Sequence, residues 1–232
     1  MRNVIAVAVA LAGTPVAMAG TTSMFFDLGA TARQTAGNWN NVVPATTTLN
    51  SLIDSNGNAV GSAGFTIVQS LFDNGEPSQL GTESPSGDAA IFPVDATDDY
   101  FFGHTGPFAG DDGNELGQFR LFNLDPTKTY NFTFFSSRTG VGDIRDTAYE
   151  VRGTNVEMGV LNGSNNDSQV LNLNGITPDG GVIDIYVAAG PDNNNANGFF
   201  YINAFRVEVV PAPGAGAMGL MAGALIGIRR RR

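Results

Sequence analysis

The stretch LDPTKTYNFTFF, residues 124–135, decides the fold. From Tyr130 onward, Tyr130, Phe132 and Phe134 alternate with Asn131 and Thr133. That period of two belongs to a strand with one face in a core and the other toward water. Ahead of it, Pro126 fixes φ in the turn Leu124-Asp125-Pro126-Thr127-Lys128, which reverses the chain after the apolar-polar-apolar run Phe119-Arg120-Leu121.

The same grammar extends in both directions. Downstream, strands are expected at residues 147–152, 156–160, 169–173, 182–187 and a closing strand at 199–210. In that last stretch Tyr201, Asn203, Phe205, Val207 and Val209 share a face, while Arg206 and Glu208 take the other. Upstream, residues 24–28, 49–53 and 65–70 read as strands joined by Gly- and Asn-rich loops, and residues 82–88 as a mobile loop. Asn56-Gly57, Asn74-Gly75, Asp112-Gly113, Asn162-Gly163, Asn174-Gly175, Asp179-Gly180 and Asn197-Gly198 tolerate positive φ and mark turns. No amphipathic helix of ordinary length and no fixed-period repeat is visible. The class is all-β, with about nine or ten strands in about 190 residues, which suits a two-sheet β-sandwich of jelly-roll type better than a smaller immunoglobulin-like one.

Both ends read as targeting signals. Residues 1–19 carry Arg2, an apolar run from Val4 to Leu11 and Ala17-Met18-Ala19 before Gly20, the pattern of a secretory signal peptide. Residues 210–232 read VPAPGAGAMGLMAGALIGIRRRR: Pro211 and Pro213, an uncharged apolar run, then Arg229, Arg230, Arg231 and Arg232. Basic residues stay on the cytoplasmic side during export. The apolar run of about 15 residues is short against the roughly 20 that span a bilayer, so a weak, transient membrane anchor is expected. The expected domains are thus 1–19 signal peptide, 20–209 β-sandwich and 210–232 sorting segment.

With Arg2 and the four terminal arginines set aside, 7 basic residues face 22 acids, a net charge of about −15. A surface that negative disfavours nucleic acid and anionic lipid and attracts divalent cations. The chain has no cysteine, which excludes thiol chemistry and Cys-based zinc sites.

Three resemblances follow from these residues. The tail resembles the PEP-CTERM sorting signal, with Ala212 where that family usually has Glu. It implies export, an exosortase-like processing protease as partner, and a final place at the cell surface or in a matrix rich in exopolysaccharide. The Leu124 to Tyr130 passage resembles the tyrosine corner of fibronectin type III domains, in which Tyr130 would anchor the turn by its hydroxyl. The body is similar to galactose-binding-like jelly rolls. Phe26-Asp27-Leu28-Gly29, Gly37-Asn38-Trp39-Asn40-Asn41, the passage that ends at Arg138, and Phe200-Tyr201-Ile202-Asn203-Ala204 carry that likeness. It implies carbohydrate recognition or adhesion without catalysis.

Candidate chemistry is sparse. His104, the lone histidine, lies in a turn-like loop, and a Ser-His-Asp triad would have to use it; no G-x-S-x-G elbow accompanies it. A glycosidase needs two facing carboxylates, and the acid pairs here, Asp98-Asp99, Asp111-Asp112 and Asp143 with Asp146, are expected as solvated loop charges. The protein is therefore expected not to be an enzyme. Asp111, Asp112, Asn114 and Glu115 offer closely spaced oxygen ligands for a structural calcium, or form an ordinary polar turn. Trp39 beside Asn38, Asn40 and Asn41 is either an aromatic platform for a sugar ring or a core residue. Arg138 and Arg145 could line the same rim as Trp39, or be surface ion pairs. The Asn193-Asn194-Asn195 run is expected at a loop tip. A purely structural surface or biofilm component is the alternative to polysaccharide binding, and a glycan-active hydrolase comes third.

Overall fold

Period-two alternation becomes strand almost wherever the sequence shows it in the computed structural model, which describes residues 21–44, 46, 48–73, 80–111 and 113–211. The strands are β1 (Thr22–Leu28), β2 (Asn40–Val42), β3 (Thr48–Leu49), β4 (Gly64–Gln69), β5 (Phe72–Asp73), β6 (Phe101–Gly103) and β7 (Leu116–Phe122). They continue with β8 (Thr129–Phe135), β9 (Asp146–Arg152), β10 (Val156–Asn162), β11 (Leu171–Ile176), β12 (Ile183–Ala189), β13 (Phe200–Ile202) and β14 (Ala204–Val210). Short 3-10 turns at Thr31–Arg33, Gly87–Ile91 and Val94–Ala96 are the helical elements among the described residues. None is long or apolar enough to cross a membrane.

Two sheets face each other. One has the order β11-β8-β14-β1-β2 and the other β10-β9-β12-β7-β4-β3; a small third sheet runs β13-β6-β5. All pairings are antiparallel except β1 with β2. The chain passes directly from one of the two large sheets to the other between β2 and β3, β7 and β8, β8 and β9, β10 and β11, and β11 and β12, the winding of a jelly roll.

The core is aromatic. Phe26 on β1 stacks on Phe205 of β14 at 4.3 Å and meets Phe65 of β4, across the sandwich, at 5.5 Å. Phe134 of β8 stacks on Tyr149 of β9 at 4.6 Å. All of these rings are fully buried. Each contributes about 2–3 kcal/mol by leaving water, and each ring pair about 0.5–1.5 kcal/mol more.

The corner at the head of β8 forms as the sequence predicts. The Asp125 N–H donates to the Tyr130 hydroxyl at 3.0 Å. The Asp125 carboxylate accepts from the Thr127 N–H at 3.0 Å, closing the turn around Pro126.

Four local expectations need correction. The closing strand is two strands in two sheets, broken at the buried Asn203. β11 begins later than expected and runs through Asn174-Gly175, which makes a bulge and not a hairpin turn, with Gly175 at φ 77°. Of residues 49–53 only Leu49 is in a strand, because the Asn40 side chain takes the N–H and C=O of Ile53, each at 3.0 Å. The 82–88 segment is tied down: the Thr82 N–H donates to Thr97 O at 2.9 Å, Ser86 N–H to Asp167 O at 2.7 Å and Asp88 N–H to Ser168 O at 3.0 Å.

β14 ends at Val210, paired with Thr129. Residues 1–19, Asp112, Pro213 and Arg229 to Arg232 lie outside the described residues, while Pro211 is half-buried just past β14.

Candidate ligand-binding cleft

The third sheet builds the cleft. Phe101 on β6 and Phe200 and Ile202 on β13 point into the core. Alternation then sends Tyr100, Phe102, Phe199 and Tyr201 to the opposite face. Tyr201 lies directly across from Phe102 in the β13–β6 ladder, and Phe102 across from Phe72 of β5. The strands approach closely because residue 103 is glycine: a Cβ there would lie 2.2 Å from the Phe200 ring. Tyr100 meets Tyr201 edge-on at 4.7 Å, and Phe199 meets Phe108 edge-on at 4.8 Å.

Over this aromatic floor stands the loop from β8 to β9. The floor, Leu80, Arg138 and Arg145 enclose a cleft of about 330 Å³, in the range of small-molecule sites. Phe108 is 43% exposed at its rim.

The loop is held at many points. The Ser137 N–H donates to Asn203 Oδ1 at 2.7 Å and the Arg138 N–H to Gly163 O at 2.7 Å; the Arg138 carbonyl accepts from the Asn165 N–H at 2.9 Å. The Thr139 N–H donates to Leu80 O at 2.7 Å. The asparagine run, expected as a loop tip, is wiring instead. Asn193 Nδ2 donates to Phe199 O at 2.7 Å, Asn194 Oδ1 accepts from the Ile144 N–H at 2.7 Å, and Asn195 Nδ2 donates to the Asp143 carboxylate.

The two arginines differ electrically. Arg145 Nε donates to Asp143 Oδ1 at 2.8 Å, a terminal nitrogen donates to the Tyr201 hydroxyl, and its guanidinium lies over the Phe199 and Tyr201 rings at 5.5 and 5.8 Å. Burial works against its charge, but the bonds to Asp143 and Tyr201 outweigh that and its pKa is raised. The bond from Arg145 in turn lowers the pKa of Asp143. Arg138 donates to Thr139 O and has no carboxylate partner among the described residues. Burial raises the pKa of Tyr100 and of Tyr201, so both hydroxyls stay neutral.

The residues picked from sequence do not all meet here. Arg138 and Arg145 share the cleft, but Trp39 and Asn38 line a different one, of about 280 Å³, with Phe25, Ser55, Ile91 and Pro93. Trp39 is half-buried, with Phe25 at 5.0 Å and Phe92 at 6.4 Å. One N–H of Asn38 Nδ2 donates to Ser55 O at 3.0 Å. Asn40 is buried, its amide satisfied by Phe25 O and by both backbone groups of Ile53, so it is a structural residue with no donor left for a ligand. His104 is also buried: Nδ1 bonds Gly106 O at 2.7 Å and the ring stacks on Phe72 at 5.2 Å. Asp111 Oδ1 accepts from the Gly113 N–H at 2.9 Å, and Asn114 Nδ2 donates to Ser70 O, while Glu115 is exposed. Among the described residues, no three His, Cys, Asp or Glu side chains gather as a metal site.

Asp98 and Asp99 overturn the expectation of solvated charges, for both are buried. Asp98 pairs with Arg33 at 3.0 Å. Asp99 accepts from the Ala30 N–H at 2.5 Å, and buried Asp27 from the Thr35 N–H at 2.8 Å. Burial pushes the Asp27 pKa up to about 7. Burial and then the charge of Asp27 push Asp99 to about 8. Neither lines the aromatic cleft.

The four floor residues escaped sequence reasoning. Their signal was nevertheless present: Tyr100-Phe101-Phe102 and Phe199-Phe200-Tyr201 are aromatic on both strand faces, one more apolar face than a core needs.

No family model and no curated protein matches the sequence. Several solved structures are similar in part. One is TmCBM61 in complex with beta-1,4-galactotriose, with a TM-score of 0.33 and 15% identity, over 62% of this chain and 80% of that one. The ANXUR1 extracellular domain from Arabidopsis thaliana has a TM-score of 0.39 and 10% identity, over 67% and 51%. The C-terminal domain of a chitobiase from Bacteroides fragilis has a TM-score of 0.31 and 17% identity, over 62% and 91%. At these scores the likeness says nothing of what this chain binds.

Proposed function

We propose that this is an exported, non-enzymatic surface protein that binds carbohydrate in the aromatic cleft. The observation that carries the reading is the cleft itself: aromatic rings paving one side of a sheet, with two arginines above them on a multiply bonded loop. Ring faces stack on the C–H face of a pyranose while guanidinium and hydroxyl groups bond its oxygens. Export rests on the signal-peptide pattern of residues 1–19. Sorting to the cell surface or matrix by an exosortase-like protease, with transient membrane insertion of the tail, rests on Pro211, Pro213 and the terminal arginines. A calcium ion at the 111–115 turn is a subsidiary proposal, supported by the exposed carboxylates of Asp111 and Glu115.

The test is a glycan array and a pull-down on insoluble polysaccharides with the purified protein, in calcium and in chelator. Specific retention is expected, and Phe108→Ala lowers it without unfolding the domain, whereas Trp39→Ala leaves it unchanged. Loss of retention in chelator supports the calcium. A folded protein retained on no glycan overturns the binding reading in favour of a purely structural matrix component.

A further inference from the structure

We propose that the cleft selects an acidic sugar, a carboxylate-bearing uronate unit, and that Arg138 is the residue that recognises it. The inference rests on the carbohydrate-binding reading and sharpens its substrate class.

The first argument is charge accounting. Seven basic side chains lie among the described residues, and six are paired: Arg33 with Asp98, Arg120 with Asp184, Lys128 with Asp125, Arg145 with Asp143, Arg152 with Glu150 and Arg206 with Glu208. Acids outnumber bases about threefold here, so a carboxylate is the commonest neighbour a cation could have. Among the described residues, Arg138 alone has none. Its one acceptor among the described residues is the Thr139 carbonyl, which leaves N–H groups of the guanidinium unused by them.

The second argument is setting. Arg138 is half-buried, and no carboxylate among the described residues lines the cleft it enters. A cation with part of its water removed and no counter-charge attracts an anion more strongly than one in bulk solvent. Its planar fork suits the two oxygens of a carboxylate. Arg145 does not compete, because Asp143 already neutralises it and the aromatic rings fix it as a wall.

The third argument is pre-organisation. The backbone N–H and C=O of Arg138 are both bonded to the 163–165 segment, so the guanidinium starts from a fixed base. The half-buried rings of Phe102 and Phe199 and the exposed ring of Phe108 supply the face on which the rest of the sugar lies. The strongly negative surface of the domain gives a polyanion no general attraction, so retention of one requires a local site.

The experiment compares polygalacturonate with the same polymer after its carboxyl groups are reduced to alcohols, using the wild-type protein, Arg138→Gln and Arg138→Lys. Wild type is expected to bind the acidic polymer at least tenfold more tightly than the reduced one. Arg138→Gln loses that preference, its affinity for the acidic polymer falling to that for the reduced one, and Arg138→Lys recovers only part, since it restores the charge without the fork. Thermal melts of each variant show that the fold is intact. Equal affinity of wild type for both polymers, or an undiminished preference in Arg138→Gln, overturns the acidic-sugar assignment while leaving carbohydrate binding in place. Binding to neither polymer by a protein that binds neutral glycans on the array also overturns it. Binding to no glycan at all removes the underlying reading instead.

Discussion

Nε of Arg145 sits 2.8 Å from Oδ1 of Asp143, two residues earlier on the same loop, and the pair is tied to the asparagine run through Asn195. Both side chains are largely shielded, Arg145 at 14% exposure and Asp143 at 29%. Asp143→Ala therefore removes a charge-assisted pair and leaves Arg145 over the rings without its counter-charge. A loss of about 1–2 kcal/mol is expected, or about 2–8 °C in Tm at this chain length. The Asp143 pKa is lowered in the fold, so its contribution is present above about pH 4 and fades as pH falls through the folded value. Melts of the variant and wild type should thus converge once pH is below the folded Asp143 value. A deficit that stays constant down to that pH would show that the charge is not what is lost.

The buried carboxyls predict the opposite trend for the whole protein. Asp27 faces Thr35, Asp95, Asp98 and Asp99, and Asp99 faces Ala30, Asp98 and Arg33; the folded pKa values of the two are raised to about 7 and about 8. A native state that holds protons which the unfolded chain gives up near pH 4 loses stability as pH rises from about 4 to about 8. Tm is expected to be higher at pH 5 than at pH 8. Asp27→Asn, which keeps an oxygen for the Thr35 N–H and removes the charge, should flatten the profile. A wild-type Tm that is flat or rising over that interval would sink the argument.

How far the sequence could be read follows from the range of each contact. The tyrosine corner was legible because Tyr130 and Asp125 are five residues apart and the turn chemistry lies between them. The break at Asn203 was not, because what stops the strand is a set of partners some 66 to 106 residues away, and period-two alternation runs through it without interruption. Arg138 stood out as a charge beside a strand end, but sequence could not show that it alone among the described basic residues would lack a carboxylate. Trp39 drew attention by rarity, whereas its contacts are local packing. Asp98-Asp99 resembles any acidic loop pair until the distant Arg33 and Ala30 are brought to it.

Tyr130→Phe tests the corner with the smallest possible change. The ring stays in the core, and what is removed is the acceptor for the Asp125 N–H and the weaker donation to Asp125 O at 3.4 Å. Chemical denaturation should show a loss of about 0.5–1.5 kcal/mol with an unchanged m-value. A neutral result would mean that Pro126 and the Asp125–Thr127 bonds hold the turn without the hydroxyl.

Asn203 carries the most severe expectation, because its side chain is fully buried and joins three segments. Nδ2 donates to Thr97 O at 3.0 Å and Asp99 O at 2.7 Å, and Oδ1 accepts from the Ser137 N–H at 2.7 Å. Asn203→Asp keeps the shape and the acceptor but turns the donor into an oxygen that faces two carbonyls. It also places a carboxyl near the already crowded Asp99. A cost of about 3–5 kcal/mol is expected, with Tm down by roughly 6–20 °C. The deficit should be smaller at pH 5 than at pH 8, since a protonated Asp can still donate to one of the carbonyls. Because Ser137 directly precedes Arg138, the same variant should speed amide hydrogen exchange at residues 137–139 and weaken any ligand held by Arg138 before the sandwich itself opens. If exchange there is unaltered in a variant that is clearly destabilised, Asn203 supports the core alone and the loop owes its rigidity to the 163–165 segment.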